Sequence, residues 1–341
     1  MSSSTVTTAK RKILCVGPVQ AAIEEYEQLA QDYDVHLIQR GSRAQVKAKI
    51  AELCDTKGPF EAAFILFANA AYAPMDEDLL APLWKNGNNV GVFAQCGTGY
   101  DNVRVDEISK HGCYFTNTPD AVTESTADFT VFLFLSVLRG TSYCEMVART
   151  GLWHEGLELT TDPAGMTLGI FGMGRIGKDF VRKVRAFGVK IIYNTRTRLS
   201  AADEEELGIN YATKDELLRS SDIISCLCPG TKETFHMIDK DAFAKMKDGV
   251  FFINSSRGMV VDTDALMDAL KSNKIKRAGL DVFEDEPTIP EYLLNNPRVT
   301  VTPHVAAYTV GTIYRGERDA FNNVRAFLEK GSPVTPVNGP F

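Results

Sequence analysis

The chain has 341 residues, 44% apolar and 24% charged, the make-up of an ordinary globular protein of about two domains at ~150 residues each. A net charge of −7 offers no basic face for displacing counterions from nucleic acid, so no nucleic-acid partner is expected. The longest apolar run, 129–138, falls well short of the ~20 residues of a bilayer span and reads as a buried helix, so no membrane partner is expected.

Residues 1–10 are Ser/Thr-rich and read as a disordered tail, not a secretory signal. Residues 12–16 form a β-branched apolar run that ends at Gly17-Pro18, a strand followed by a turn. Helical spacing follows at 21–30, a strand at 35–38, a helix at 44–53, and strands at 62–67 and 90–95. After the strongly apolar helix 123–139 a second alternating series begins. Its strands are 167–171, 190–194, 223–227, 250–253, 277–282 and 299–301; its helices are 176–187, 214–219 and 263–272. A last helix spans 312–330. Strands alternating with helices predict an α/β fold with two doubly wound parallel sheets.

Seven cysteines are present; Cys15, Cys226 and Cys228 lie in strand-like runs and read as reduced core residues of a cytoplasmic protein. Cys226 and Cys228 are spaced C-x-C, and none of the five histidines pairs at i, i+4, so no metal site is predicted.

The segment Gly172-Met-Gly174-Arg175-Ile176-Gly177 is G-x-G-x-x-G between a strand and a helix. That context makes it a dinucleotide-binding turn: Gly172 for the tight turn, Gly174 for close approach of the pyrophosphate, Gly177 for helix-on-strand packing. The next strand ends in Asn194-Thr195-Arg196-Thr197-Arg198, without the carboxylate that would hold the ribose 2′-hydroxyl of NAD. Arginine suits a 2′-phosphate, which favours NADP(H), with NAD(H) as the alternative if these arginines are only solvated surface charges.

Three groups suited to hydride-transfer chemistry follow strand ends: Arg257, the acidic pair Asp281 and Glu286, and His304. A cation can grip a carboxylate and polarise a carbonyl; a histidine backed by a carboxylate can protonate the developing alkoxide. In open α/β sheets the ligand crevice lies beyond the carboxyl ends of the strands.

With these motifs in hand, the chain resembles the D-isomer-specific 2-hydroxyacid dehydrogenase family and looks like its glyoxylate/hydroxypyruvate reductase branch. The residues carrying the likeness are Gly97-Thr-Gly-Tyr-Asp101-Asn, 123–139, 168–177, 254–258, 280–287 and 302–304. The resemblance implies two Rossmann-like domains: a discontinuous, flavodoxin-like substrate domain at 11–117 plus 305–341, and a dinucleotide-binding domain at 118–304. It implies reduction of a small 2-oxo acid to the D-2-hydroxy acid. Arg257 then binds substrate, His304 donates the proton and Glu286 backs His304. Backbone N–H groups of Thr98 and Gly99 hold the substrate carboxylate. Asp281 and the backbone near Ser255 hold the nicotinamide carboxamide, and Pro229 flanks the adenosine. The helix 123–139 implies a homodimer. The chain departs from the branch after the histidine, where Val305-Ala306-Ala307-Tyr308 puts a Cβ (Ala306) beside the nicotinamide and a bulky ring two residues on. That departure keeps open a D-mandelate-like or branched 2-oxo acid dehydrogenase, with Phe67, Tyr100 and Trp153 as either pocket lining or core. A non-catalytic dinucleotide sensor, similar to corepressors of the family, is the third reading.

Overall fold

In a computed structural model, residues 9–66 and 72–341 are described. The chain forms two compact units, Met1–Val122 with Thr309–Phe341, and Thr123–Tyr308.

In the first unit the elements are β1 (Lys12–Val16), α1 (Ile23–Asp32), β2 (Asp34–Ile38), α2 (Arg43–Thr56), β3 (Ala62–Ile65), α3 (Glu77–Leu80), β4 (Val92–Gln95), α4 (Val105–Lys110) and β5 (Tyr114–Thr116). Among the described residues its sheet has five parallel strands in the order β2-β1-β3-β4-β5. β3 and β4 are buried along their whole lengths, as strands covered on both faces must be. Helix α2 starts at a capping box: Ser42 accepts from the Gln45 N–H and the Gln45 side chain accepts from the Ser42 N–H.

The second unit runs α5 (Thr123–Arg139), α6 (Thr141–Arg149), β6 (Thr167–Phe171), α7 (Arg175–Val184), β7 (Lys190–Asn194), α8 (Ala201–Leu207), β8 (Asn210–Tyr211), α9 (Lys214–Ser220), β9 (Ile223–Cys226), α10 (Lys240–Lys245), β10 (Val250–Asn254), α11 (Thr263–Lys271), β11 (Ile275–Leu280), α12 (Glu291–Leu294) and β12 (Val299–Val301). Its seven described strands are parallel, ordered β12-β11-β10-β9-β6-β7-β8. The apolar α5 packs on α7, β10 and β11, which explains its hydrophobic composition; no single helix among the described residues is long and apolar enough to cross a membrane. The last helix, α13 (Val310–Lys330), lies on α1, β3 and β4 of the first unit.

The two sheets are the doubly wound α/β architecture expected from the alternation of strands and helices. Differences are local. The expected strand at 62–67 ends at Ile65, and Phe67 lies outside the described residues, as do residues 1–8 of the expected tail. The expected helix 176–187 is α7 followed by a short 3-10 turn, Arg185–Phe187. Short elements such as β5, α6, α8 and β8 were not expected; they carry too few periods to stand out locally.

Candidate active site

The strand register lines up the site. In the second sheet Phe171 pairs with Asn194 and with Cys226, Cys226 with Asn254, Asn254 with Leu280, and Leu280 with Val301. One row therefore crosses the sheet. The residues just beyond it are Gly172, Thr195, Leu227, Ser255, Asp281 and Thr302. Segments far apart in sequence converge on one carboxyl edge.

At the centre, between β6 and β9, the strand order reverses. Gly172 sits there at φ +98°, and a Cβ on it would come within 2.6 Å of the Leu227 carbonyl and the Cys228 nitrogen. A Cβ on Gly177 would meet the Gly172 carbonyl at 2.6 Å. Gly174, the N-cap of α7, has nothing within 4 Å of its would-be Cβ, so its face is open to a ligand. The first intrahelical bond of α7 runs from the Lys178 N–H to the Gly174 carbonyl at 2.9 Å, so the amides of Arg175, Ile176 and Gly177 precede the ladder and suit a pyrophosphate. The turn thus fits a dinucleotide.

The first sheet has its own switch point, between β1 and β3, and that one is filled. Glu317 of α13, fully buried, accepts hydrogen bonds from the N–H groups of Gln20, Ala21 and Ala22 at 2.8, 2.9 and 2.9 Å. The amides that lead into α1 are already satisfied by the protein's own carboxylate.

Beyond β7, Asn194 is committed to the sheet edge: its carbonyl accepts from the Gly172 N–H and its amide donates to the Ala212 carbonyl. Thr195 is half-buried, and Thr197 is exposed. Arg196 is exposed and makes no side-chain hydrogen bond among the described residues; its charge reaches Glu233. Arg198, by contrast, is paired in both prongs with Glu204 of α8. Pro229 lies in the loop after β9, its carbonyl accepting from the Thr234 hydroxyl at 2.6 Å.

After β10, Asn254 shapes the turn that carries Arg257. Its Oδ1 accepts from the Ser256 N–H and hydroxyl, and its Nδ2 donates to the Arg257 carbonyl. The Ser255 hydroxyl bonds Thr130 of α5 at 2.8 Å. A Cβ on Gly258 would overlap the Phe283 carbonyl at 2.0 Å, so only glycine lets this turn lie against the loop bearing Glu286.

After β11 and β12 stands a histidine–carboxylate dyad. His304 Nδ1 and Glu286 Oε2 are 2.8 Å apart, and the other Glu286 oxygen accepts from the Phe283 N–H at 2.9 Å. Burial pushes the Glu286 carboxyl up, but the hydrogen bond and charge of His304, the Phe283 amide and the charge of Arg257 together hold it below the usual carboxylate range. Asp281, fully buried, accepts from the Thr302 hydroxyl at 2.7 Å, the Val305 N–H at 2.9 Å and the Ala306 N–H at 2.9 Å. Its own carbonyl accepts from the His304 N–H at 2.8 Å. Burial raises the Asp281 carboxyl, with these bonds opposing. The residue assigned from the resemblance to the carboxamide thus also clamps the turn that presents His304. The sequence assigns no role to Asn254 or Thr302, though both lie in motifs carrying the likeness, and does not pick out Glu204; Asn254 left a local signal, as an Asx turn in Asn-Ser-Ser-Arg.

In the first unit, the loop after β4 has its carbonyls pinned. Gln95 donates to the Gly99 carbonyl at 2.6 Å, Asn117 to the Thr98 carbonyl at 2.8 Å, and the Thr118 N–H to the Gly97 carbonyl at 3.0 Å. The N–H groups of Thr98 and Gly99 have no partner among the described residues. Two free amides on a half-buried loop suit a carboxylate. Tyr100 and Trp153 are exposed at 40% and 74%, so neither is core.

A doubly wound sheet with an open glycine turn, an arginine and a histidine–carboxylate dyad on one edge defines a nicotinamide-dependent oxidoreductase of carbonyl and hydroxyl groups. Residues 131–306 match the family described as D-isomer specific 2-hydroxyacid dehydrogenase, NAD binding domain, and the chain belongs to that family. It is similar to the solved glyoxylate reductase of Paecilomyes thermophila (35% identity, 97% of this chain and 99% of that one, TM-score 0.89). It is also similar to the holo D-mandelate dehydrogenase of Rhodotorula graminis (32%, 98% and 99%, TM-score 0.90). A third likeness is to the NADPH-dependent glyoxylate/hydroxypyruvate reductase of Sinorhizobium meliloti in complex with NADP and malonate (32%, 96% and 97%, TM-score 0.79). The protein is an enzyme, a 2-hydroxyacid dehydrogenase with an NAD-binding domain.

Proposed function

We propose that this enzyme reduces glyoxylate, hydroxypyruvate or a similar small 2-oxo acid to the D-2-hydroxy acid, with NADPH preferred and NADH as the second cofactor. The observation that carries the reading is the 2.8 Å His304–Glu286 dyad. Reduced nicotinamide, when bound, supplies the hydride to the carbonyl carbon. His304, its Nδ1–H held by Glu286, donates the Nε2 proton to the oxygen that takes up the carbonyl electron pair. Arg257 polarises that oxygen and grips the substrate carboxylate; taken by themselves, the Thr98 and Gly99 amides of the first unit suit a carboxylate. The lack of a carboxylate at 194–198 and the unbonded Arg196 support NADPH, as does the NADP bound to the S. meliloti relative. Ser255 and Asp281 serve the carboxamide and Pro229 the adenosine. We place the enzyme in the cytoplasm as a homodimer: none of the seven cysteines forms a disulfide, six of them are buried, and α5, α6 and the segment after them expose large apolar side chains.

A second reading, a D-mandelate-like dehydrogenase, is favoured by the bulky Tyr308 that follows the catalytic turn, exposed at 61%. The test is nicotinamide absorbance with NADPH and NADH against glyoxylate, hydroxypyruvate, phenylglyoxylate and a branched 2-oxo acid. Fast NADPH oxidation by glyoxylate or hydroxypyruvate is expected. A preference for phenylglyoxylate or the branched acid establishes the second reading. Cofactor binding without turnover of any acid would leave a dinucleotide sensor.

A further inference from the structure

Two arginines follow β7, and the structure treats them differently. Arg198 Nε donates to Glu204 Oε1 and its Nη2 to Glu204 Oε2, both at 2.8 Å, and the guanidinium lies 5.4 Å from the centre of the Tyr211 ring. Glu204 is itself fixed: the Tyr193 hydroxyl donates to Oε1 at 2.7 Å and accepts from the Leu199 N–H at 2.9 Å. The Glu204 side chain is 12% exposed against 62% for Arg198, so the carboxylate is the anchored partner and the arginine comes to it. Hydrogen bonds from Arg198 and Tyr193 outweigh its partial burial and lower the Glu204 carboxyl to about 2, so the pair stays charged at working pH. Two of the three guanidinium nitrogens are occupied, and they form one of the two edges by which an arginine binds a phosphate in bidentate fashion. Arg196, two residues earlier, is exposed with no side-chain hydrogen bond among the described residues.

We propose that Glu204 sets the enzyme's choice between NADPH and NADH by holding Arg198 away from the ribose 2′-phosphate, leaving Arg196 as the cation that reads it. The inference rests on the reading above that the adenosine ribose lies beyond β7. Glu204 does not touch the cofactor; it acts through Arg198. A neutralised Arg198 tempers the NADPH preference and keeps NADH usable. Releasing it adds a second phosphate-binding guanidinium.

The test is the dissociation constant of NADPH and of NADH, by quenching of protein fluorescence, for the wild type, Glu204→Gln, Arg198→Ala, Arg196→Ala and the Glu204→Gln/Arg198→Ala double variant. Glu204→Gln should tighten NADPH by about tenfold, the scale of a gained charge-assisted bond, with NADH within about twofold. The double variant should lose that gain, which separates release of Arg198 from any general loosening of α8. Arg196→Ala should weaken NADPH by about tenfold or more and spare NADH. Unchanged NADPH affinity in Glu204→Gln, with Arg196→Ala still selective, overturns the role of Glu204 alone. A selective loss of NADPH in Arg198→Ala as large as that in Arg196→Ala also overturns it. Unchanged Glu204→Gln together with equal weakening of both cofactors in Arg196→Ala overturns the ribose reading as well.

Discussion

His304 has φ +53°, in the left-handed region where a residue other than glycine costs about 1 kcal/mol or more. Asp281 holds it there through the Val305 and Ala306 amides, and Glu286 fixes the ring from Nδ1. His304→Gln should lower kcat by about 10³-fold while the NADPH dissociation constant stays within about twofold, read by turnover and fluorescence titration. Equal loss of binding would contradict an acid/base role. The dyad also has a pH signature. The folded Glu286 carboxyl lies below the ordinary value of ~4.3, so its contribution to stability is complete above ~4.3 and is lost as pH falls through the lower folded value. Urea midpoints measured from pH 6 down to 3 should therefore fall on the acid side, and Glu286→Gln should flatten that limb. At this scale Arg257, Glu286 and His304 were legible as candidates, because each follows a strand end. It did not show that Arg198 is spoken for, because its partner lies on a helix too short to be read locally.

The elements decide which sheet can take a dinucleotide. Both units have a strand–turn–helix at a switch point, and the difference is what fills the turn. In the second, Gly174 leaves the α7 entrance open. In the first, α13 brings Glu317 into the amides before α1. Removing that carboxylate leaves three N–H groups without that partner, the Ala22 amide among them fully buried. Glu317→Ala should therefore cost roughly 3 kcal/mol or more in urea unfolding, with nicotinamide binding retained below the transition. A change under about 1 kcal/mol would show that water replaces the carboxylate. The long elements were legible because α5 and the fully buried strands carry runs of apolar residues. The link from α13 to the first turn was not, since about 300 residues separate its two ends.

For the whole molecule, exposed apolar side chains bear on assembly. Phe132, Met146, Leu152, Trp153 and Leu159 are all exposed on the second unit, the last two at 74% and 96%. Large exposed apolar side chains on one unit are candidates for an interface between copies of the chain. Trp153→Ser with Leu159→Ser should convert a dimer to a monomer in sedimentation velocity; an unchanged mass in both forms would remove these residues from any interface.

The order of strands and helices and the glycine turn were determined by the sequence alone, because each rests on short-range physics. Apolar period, chain stiffness and the steric freedom of glycine act over a few residues. The tertiary structure alone decided the row of strand ends that gathers the site, the closing of one switch point by Glu317 and the pairing of Arg198 with Glu204. Those depend on which distant groups packing brings within 3 Å, and no local pattern records that.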